Sequence, residues 1–322
     1  MIKKNKKILI AGGVGFIGVN LVEYLLESTG WQINVLDNLS AGSQENLKKI
    51  RGFPLKRVHF KKGDIRNKKD ISKIIKQCDF VVNLAAKTGV IPAQKNPRET
   101  AEVNILGLIN LLEASRDNKI KRFVHMSSGA ALGNQQVPLN EKKIPRPLSI
   151  YGASKLAGEG YCSAYSKSFG LENIVLRLPS VYGSYSFHKE SIVHKIIKQI
   201  LKGEAVNIYG NGGQTRDFLY AKDACQAIFL SLIKKIPEDF EIFQIGTGRE
   251  TSINSLLELI RKEFKKIGYK IENPVYKPAR AGEIKRNYAD IGKAKKILNF
   301  YPKAALKEGV KKTVENYISY KI

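Results

Sequence analysis

Cysteine is scarce in this chain, and its pattern excludes two classes of site. The 322 residues include three cysteines, Cys78, Cys162 and Cys225, which lie far apart and form no Cys-x-x-Cys pair. An odd number of separated cysteines predicts neither a disulfide framework nor a zinc site, so no metal is expected. The thiols are predicted to be small core residues of a protein in the reducing cytoplasm.

Long apolar runs are also lacking. Lysines precede a short apolar run near the amino terminus, but glycines interrupt that run from Gly12 onwards, which argues against a signal peptide. No other segment approaches the roughly 20 apolar residues that a membrane-spanning helix needs. We therefore expect no membrane span.

Acidic residues are few. There are 55 Lys and Arg against 29 Asp and Glu, so the formal net charge is +26. Such a charge could serve nucleic acid, an anionic membrane or phosphate-bearing substrates. Because the lysines are scattered and no RNA-binding motif with interleaved aromatic residues accompanies them, a solvated lysine-rich surface is the favoured interpretation, and no nucleic-acid partner is predicted.

Strand-like runs alternate with helical patterns through the first 178 residues. The predicted strands are Lys7–Ala11, Gln32–Asp37, Val58–Lys61, Phe80–Leu84, Arg122–Met126 and Asn173–Leu178, and the predicted helices are Phe16–Glu27, Asn104–Arg116 and Tyr151–Lys167. This alternation indicates an α/β fold with a Rossmann-type, doubly wound parallel sheet.

The rest of the chain is less regular and richer in glycine, proline and aromatic residues. Helices are predicted at Ser191–Leu201, Lys222–Lys234, Ser252–Phe264 and Leu306–Ser319. Residues 1–178 are expected to form the dinucleotide-binding domain, to which the chain returns around 212–246. Residues 179–211 and 247–322 are expected to form a smaller α/β substrate-binding region within the same compact body.

A glycine turn follows the first predicted strand and opens the first predicted helix. Gly12, Gly15 and Gly18 would let a pyrophosphate approach backbone N–H groups at the positive end of that helix. Asp37 ends the second strand, where its carboxylate can accept hydrogen bonds from both ribose hydroxyls and would repel a 2′-phosphate. The pattern predicts NAD rather than NADP. A turn needed only for packing, with Asp37 as a helix cap, is the alternative.

Tyr151 and Lys155 stand four residues apart and so share one face of a predicted helix. A phenol with a pKa near 10 is a poor base at neutral pH. The Lys155 ammonium and a cationic nicotinamide ring are expected to lower the pKa of Tyr151. Ser128, just past a predicted strand, could hydrogen-bond the same substrate hydroxyl. The three residues predict a hydride-transfer site, although this spacing also occurs on ordinary solvated helix faces.

These motifs are part of a resemblance that runs from end to end of the chain. Further matching segments are Asp37-Asn38-Leu39-Ser40-Ala41-Gly42, Gly63-Asp64-Ile65-Arg66, Asn83-Leu84-Ala85-Ala86, Asn104-Ile105-Leu106-Gly107, Val181-Tyr182-Gly183, Gln214-Thr215-Arg216-Asp217-Phe218 and Arg280-Ala281-Gly282-Glu283. With them the chain resembles the extended short-chain dehydrogenases, specifically the NAD-dependent nucleotide-sugar epimerases and dehydratases of the UDP-glucose 4-epimerase type.

The resemblance implies a cofactor site and a substrate site. For NAD it implies Gly12, Gly15, Phe16, Ile17, Gly18, Asp37, Asn38, Asp64, Ile65, Leu84, Ala85, Ala86, Asn104, Tyr151, Lys155 and Leu178. For a nucleotide-diphosphate sugar, with UDP as the expected nucleotide, it implies Thr88, Ser128, Tyr151, Ser180, Ile192, Tyr209, Arg216, Arg280, Glu283 and Asn287.

Some of these residues have specific implied roles. Arg216 and Arg280 would bind the diphosphate, whose oxygens match a planar guanidinium. Ile192 and Tyr209 would flank the base. Asn104 would lie behind the catalytic helix, and the resemblance also implies a homodimer formed through the helices near Asn104–Arg116 and Tyr151–Lys167.

The two residues after Ser128 bear on the reaction. Within the resembling family, 4,6-dehydratases carry an Asp-Glu pair there, whereas this chain has Gly129 and Ala130. Without those carboxylates, dehydration lacks its acid and base. The expected reaction is inversion at C4 of a UDP-hexose or UDP-N-acetylhexosamine through a 4-keto intermediate, and Asn287 is small enough to admit an N-acetyl group.

Two other functions remain open. The first is a net NAD-dependent dehydrogenase or reductase, or an epimerase acting at other carbons, that uses the same residues on a nucleotide sugar. The second is a non-catalytic relative that binds NAD as a sensor or associates with nucleic acid. The second would be expected to have lost part of the Ser128, Tyr151 and Lys155 set, which is intact here.

Overall fold

A parallel sheet of seven strands lies at the centre of the structure, a computed structural model that describes residues 6–50, 55–279 and 284–319. The strands are β1 Lys7–Ala11, β2 Gln32–Asp37, β3 Val58–Lys62, β4 Phe80–Asn83, β5 Arg122–Ser128, β6 Asn173–Leu178, β7 Ser180–Tyr182, β8 Asn207–Tyr209, β9 Thr215–Arg216, β10 Phe218–Tyr220, β11 Phe240–Gln244, β12 Thr251–Ser252 and β13 Val275–Lys277.

Helices cover both faces of this sheet and build the smaller region. The α-helices are α1 Phe16–Ser28, α2 Glu45–Lys48, α3 Lys68–Ser72, α4 Val90–Lys95, α5 Pro97–Ala101, α6 Gly107–Asp117, α7 Ile150–Phe169, α8 Ile192–Leu201, α9 Ala221–Ile233, α10 Ile253–Lys266 and α11 Leu306–Ser319. Short 3₁₀-helices span Leu55–Arg57 and Gly129–Ala131, and π-helical turns span Glu102–Leu106 and Ala294–Leu298.

The strand order locates the ligand site. Across the sheet the order is β11-β6-β5-β4-β1-β2-β3, and all neighbouring strands are parallel. The chain therefore adds strands outwards from β1 to β3 and then returns to the other side of β1 with β4. The carboxyl ends of β1 and β4 flank this topological switch point, where doubly wound folds bind their ligands.

The sheet strands are apolar because both faces of the sheet are covered. One core cluster includes Val82 and Val124 and packs beneath α1 and α9, whereas the cluster on the opposite face includes Leu111 and Cys162 and packs beneath α6 and α7. A third cluster, separate from the sheet, joins α8, α10 and α11 in the smaller region.

The predicted fold class is confirmed, and most predicted elements end within two residues of the observed ones. The short strands β7–β10, β12 and β13 and the short helices α2–α5 are not among the predicted elements, and three further details differ. The strand predicted to end at Met126 continues to Ser128, the helix predicted from Asn104 begins with a π-helical turn, and β11 was not predicted as a strand. The three cysteines are free and buried, as expected.

The described part of the chain has neither a membrane-spanning helix nor a metal-binding cluster. No helix there has the length and apolarity to cross a bilayer. Within the same ranges, no group of three or more His, Cys, Asp or Glu side chains could hold a metal ion.

Candidate active site

A cleft of about 1180 Å³ opens at the carboxyl ends of the central strands. Its wall includes the glycine turn after β1, the segment after β4, Lys155 on α7, and Arg216 on β9. Single-ligand pockets usually have volumes of roughly 300–1,000 Å³. The cleft is therefore large enough for a dinucleotide and a second ligand side by side.

The glycine turn is closely packed against the segment that follows β4. Gly12 has a φ of +81°, and a Cβ at this position would lie 2.6 Å from the backbone nitrogen of Ala85. A Cβ on Gly18 would lie 2.3 Å from the carbonyl oxygen of Gly12. Gly15 is the N-cap of α1 and lines the cleft. Only glycine fits the first two positions, and the turn leaves the start of α1 facing the cleft.

Asp37 ends β2 and is fixed by the glycine turn. Its carboxylate oxygens accept hydrogen bonds from the backbone N–H groups of Val14, at 3.1 Å, and Leu39, at 2.8 Å. The side chain lines the cleft and is not the N-cap of a helix. Asp37 is therefore not the helix cap of the alternative interpretation, and its ribose-binding role stays a prediction.

The far end of the cleft contains a second carboxylate. Arg66 donates two hydrogen bonds to Asp64, at 3.0 and 2.7 Å, and Asn38 donates a third at 2.9 Å. Chiefly because of the Arg66 hydrogen bonds, the pKa of Asp64 falls to about 2. Asp64 is therefore charged at neutral pH and joins the segments that follow β2 and β3.

Asn104 lies behind the cleft and forms hydrogen bonds with the segment after β4 and with α7. Its side-chain oxygen accepts a hydrogen bond from the backbone N–H of Lys87 at 2.8 Å. Its amide nitrogen donates to the Lys87 carbonyl oxygen and to the Ser154 hydroxyl on α7. The residue thus sets the position of the segment after β4 relative to the helix that carries Tyr151 and Lys155.

Tyr151 and Lys155 lie on the first turns of α7. The Ser149 hydroxyl caps this helix by accepting a hydrogen bond from the backbone N–H of Gly152 at 3.0 Å. The Lys155 ammonium donates to the carbonyl oxygen of Met126 at 2.8 Å and lies 5.9 Å from the centre of the Tyr151 ring. Ser128 ends β5, the strand that also contains Met126, so the three predicted catalytic residues converge.

Comparisons with known proteins agree with this geometry. The family model described as GDP-mannose 4,6 dehydratase matches residues 9–313. A Methanocaldococcus jannaschii protein named a putative UDP-glucose 4-epimerase is 37% identical over 95% of this chain and 97% of its own length.

The chain belongs to the extended short-chain dehydrogenases.

Solved structures of this family are closely similar. The Thermotoga maritima UDP-glucose 4-epimerase, determined with UDP-glucose, superposes with a TM-score of 0.88 at 34% identity, covering 98% of this chain and 99% of its own. The Bacillus cereus UDP-glucuronic acid 4-epimerase, determined with UDP-glucuronic acid and NAD, gives a TM-score of 0.88 at 31% identity, covering 98% and 99% respectively.

The electrostatics of the short-chain dehydrogenase site correct one expectation. Burial raises the pKa of Tyr151 to about 12, against a smaller opposing effect of a hydrogen bond with Ser128. Burial, followed by the nearby charge of Lys189, lowers the pKa of Lys155 to about 8. The predicted lowering of the Tyr151 pKa by Lys155 is therefore not found in the chain alone, because the ammonium is directed at the Met126 carbonyl and the phenol is desolvated.

A buried ion pair supports Lys155 from behind. Glu159, one turn later on α7, accepts hydrogen bonds from Arg177 at 2.8 and 2.6 Å and from Ser127 at 2.5 Å. Its negative charge favours the protonated form of Lys155. The pair joins α7 to β6 and holds the catalytic helix against the sheet.

The predicted substrate residues of this short-chain dehydrogenase are only partly in the cleft wall. Thr88 and Arg216 line it, and Arg216 donates a hydrogen bond to the carbonyl oxygen of Ile284 at 2.8 Å. Arg280 and Glu283 lie outside the described residues.

Six other predicted substrate residues are not part of the wall of this cleft, namely Ser128 and Tyr151, described above, and Ser180, Ile192, Tyr209 and Asn287. Ser180 starts β7, Ile192 packs against the third core cluster, Tyr209 ends β8, and Asn287 lies in the segment after Ile284. Their proposed contacts with the sugar and the base stay predictions.

Sequence reasoning missed several residues of the cleft wall. Ser40, Ala41 and Gly42 line it beside the glycine turn, and their place in a matching segment was the available signal. His188 and Lys189 lie in the loop between β7 and α8, where no periodicity or motif marked them.

Proposed function

We propose that this short-chain dehydrogenase is an NAD-dependent epimerase that inverts C4 of a UDP-linked hexose or N-acetylhexosamine. The observation that carries the proposal is one continuous cleft in which the glycine turn, Asp37 and Lys155 all form parts of the wall, with Tyr151 beside Lys155. Bringing these groups together is what hydride transfer between a nucleotide sugar and a dinucleotide requires.

The residues present fit NAD. The start of α1 and the glycine turn would hold its pyrophosphate, Asp37 its adenosine ribose, and the segment Leu84–Ala86 its central part. When bound, oxidised NAD accepts and returns a hydride, and its positive charge favours the phenolate form of a nearby tyrosine.

Tyr151 would act as the acid and base of the reaction. The Tyr151 phenolate, the form that bound oxidised NAD and Lys155 would favour, would take the proton of the C4 hydroxyl as the sugar is oxidised and, as the phenol, return it when the ketone is reduced, so no net proton is consumed. Ser128 can hydrogen-bond the same hydroxyl and hold it in line. Lys155, whose ammonium lies 5.9 Å from the centre of the Tyr151 ring, would stabilise the phenolate through its charge once NAD is bound.

Inversion at C4 requires the 4-keto sugar to rotate in the site, so that its opposite face is presented before it is reduced. Tight binding of the diphosphate combined with weak binding of the sugar would allow this rotation. Arg216, which is oriented by its hydrogen bond to the Ile284 carbonyl, is the proposed diphosphate ligand. Arg280 is proposed as its partner on the basis of the sequence.

Dehydration is disfavoured even though the matching family model is described as a dehydratase. Gly129 and Ala130 form the short turn after Ser128, and neither carries an acid or a base. The cleft-lining carboxylates Glu99 and Glu190 pair with Lys87 and Lys198, at 2.8 and 2.7 Å. The described site thus offers Tyr151 for proton transfer at the C4 hydroxyl and no carboxylate after Ser128 for proton transfer at C5 and C6.

A homodimer in the cytoplasm is also part of the proposal. Leu106, Tyr161 and Phe169 are exposed apolar side chains on or beside α6 and α7, which pack against each other. An apolar surface of this kind is suited to a second copy of the chain. Three free, buried cysteines agree with a reducing compartment.

The function can be tested with UDP-glucose, UDP-galactose and their N-acetyl forms. We expect epimers to form without net NADH accumulation, and we expect Tyr151→Phe to lower kcat by roughly 10²- to 10⁴-fold while NAD stays bound. Tyr161→Phe, on the exposed side of the same helix, is the matched control. Stoichiometric NADH would instead indicate a net dehydrogenase, and failure to bind NAD would refute the proposal.

A further inference from the structure

Lys189 contacts a second segment of the cleft wall. It belongs to the loop between β7 and α8 and lines the cleft wall. Its ammonium lies 3.4 Å from the hydroxyl of Thr88, which follows β4 on the opposite wall. Two segments that are 101 residues apart in sequence thus meet at this point.

Within the described ranges, the Lys189 charge has no carboxylate partner. The neighbouring Glu190 is paired with Lys198 at 2.7 Å, and no carboxylate of the described chain lies within ion-pair distance of Lys189. Burial lowers the pKa of Lys189, with no compensating interaction from a carboxylate. The Lys189 side chain is partly buried, and an anion in the cleft would give its ammonium the charged partner that the described chain does not supply.

The position of Lys189 identifies which part of the substrate would face it. Thr88, its hydrogen-bond partner, directly follows Lys87, whose backbone is joined through Asn104 to the Ser154 hydroxyl on α7. The same hydroxyl donates to the backbone carbonyl of Tyr151, the proposed acid and base at C4, at 2.8 Å. Lys189 is therefore assigned to the sugar, whereas the diphosphate is assigned to Arg216.

We propose that Lys189, together with Thr88, binds a carboxylate on the sugar, so that the preferred substrate is a nucleotide-linked sugar acid rather than a neutral hexose. This inference rests on the proposed C4 epimerase and replaces the neutral hexose with the corresponding sugar acid as its preferred substrate. A carboxylate would accept charge-assisted hydrogen bonds from the ammonium. A neutral sugar would leave the charge unpaired, and sites with a polar group left unpaired reject such analogues strongly.

The test measures binding and turnover separately. Calorimetric affinities for UDP, UDP-glucose and UDP-glucuronate are measured on the protein as purified with its NAD, for the wild type and for Lys189→Met. We expect the wild type to bind UDP-glucuronate at least about tenfold more tightly than UDP-glucose, and we expect Lys189→Met to lose most of that preference. The ratio of kcat/KM values for the two sugars should fall in parallel.

Two further variants isolate the contribution of Lys189. Lys189→Arg keeps the charge and should retain most of the preference. Lys202→Met removes the same charge from the exposed end of α8 and should leave the preference unchanged. These controls separate a local contact from the general effect of a basic surface.

Two results would overturn the inference. One is equal affinity of the wild type for the acidic and neutral sugars. The other is an equal loss of affinity for UDP and both sugars in Lys189→Met, which would assign Lys189 to the diphosphate. Failure of the proposed function is seen separately, as an absence of epimer from every sugar whatever the binding preference.

Discussion

Single residues in this cleft take their chemical properties from their neighbours. Burial and the charge of Lys189 disfavour the protonated form of Lys155, and the charge of Glu159 favours it. Tyr151 keeps its proton at neutral pH in the chain alone, because burial raises its pKa to about 12. The reactivity of both groups is thus decided by which charges lie close to them.

The balance at Lys155 has a testable pH dependence. With a pKa of about 8, its ammonium is present below that pH and is lost as the pH rises through it. Because Lys189 is a like charge, Lys189→Met should raise the pKa of Lys155 and move this loss to higher pH. The pH profile of kcat/KM with UDP-glucose measures the shift, and a basic limb that moves downwards or not at all would contradict the assignment.

Among the elements, the turn between β1 and α1 uses its glycines for two purposes, close backbone packing and access of a ligand to the helix N-terminus. Gly12 and Gly18 are needed because the backbone segments around them nearly touch. A Cβ on Gly15, by contrast, would meet only the Gly12 carbonyl oxygen, at 3.4 Å, beside the open cleft. Two glycines of the pattern therefore serve packing, and the third serves access of a ligand to the helix N-terminus.

These different roles predict different effects of Gly18→Ala and Gly15→Ala on stability and on NAD binding. Gly18→Ala should lower the free energy of unfolding by about 1–3 kcal/mol, since its Cβ would collide with rigid backbone. Gly15→Ala should change stability little and should weaken NAD binding. Urea unfolding and NAD titration of both variants check this, and a Gly18→Ala protein of unchanged stability would show that the turn can relax.

The molecule as a whole carries a formal charge of +26, yet its exposed apolar side chains include a group on and beside α6 and α7. Self-repulsion between such basic chains opposes association. A dimer would therefore need an apolar contact large enough to overcome that repulsion. The faces of α6 and α7 are the proposed contact between two copies related by a two-fold axis.

The dimer predicts a definite mass and a way to disrupt it. Light scattering at physiological salt should give twice the chain mass of 36.0 kDa. The double variant Leu106→Arg, Tyr161→Arg should be monomeric, because it adds charge to the proposed contact. Ile144→Arg changes an exposed apolar residue elsewhere and is the matched control. A wild-type mass of one chain would refute the dimer.

Local sequence determined much of this protein. Apolar runs with turn residues between them define the strands, the glycine turn has one sterically allowed form, and the spacing of Tyr151 and Lys155 places both on one helix face. The fold class and the pairing of Tyr151 with Lys155 could be predicted because these signals depend on residues close together in sequence, whereas the grouping of Ser128 with them was predicted with the help of the family resemblance.

Tertiary structure alone decided the rest. Three features depend on segments that are distant in sequence. They are the contact of Lys189 with Thr88, the position of β11 as the edge strand beside β6, and the raised pKa of Tyr151. Desolvation and charge pairing are properties of the packed interior, where the surroundings of a side chain come from every element around it. For that reason the sequence predicted the reacting groups, whereas only the folded chain showed that the Lys189 ammonium contacts Thr88 in the cleft wall.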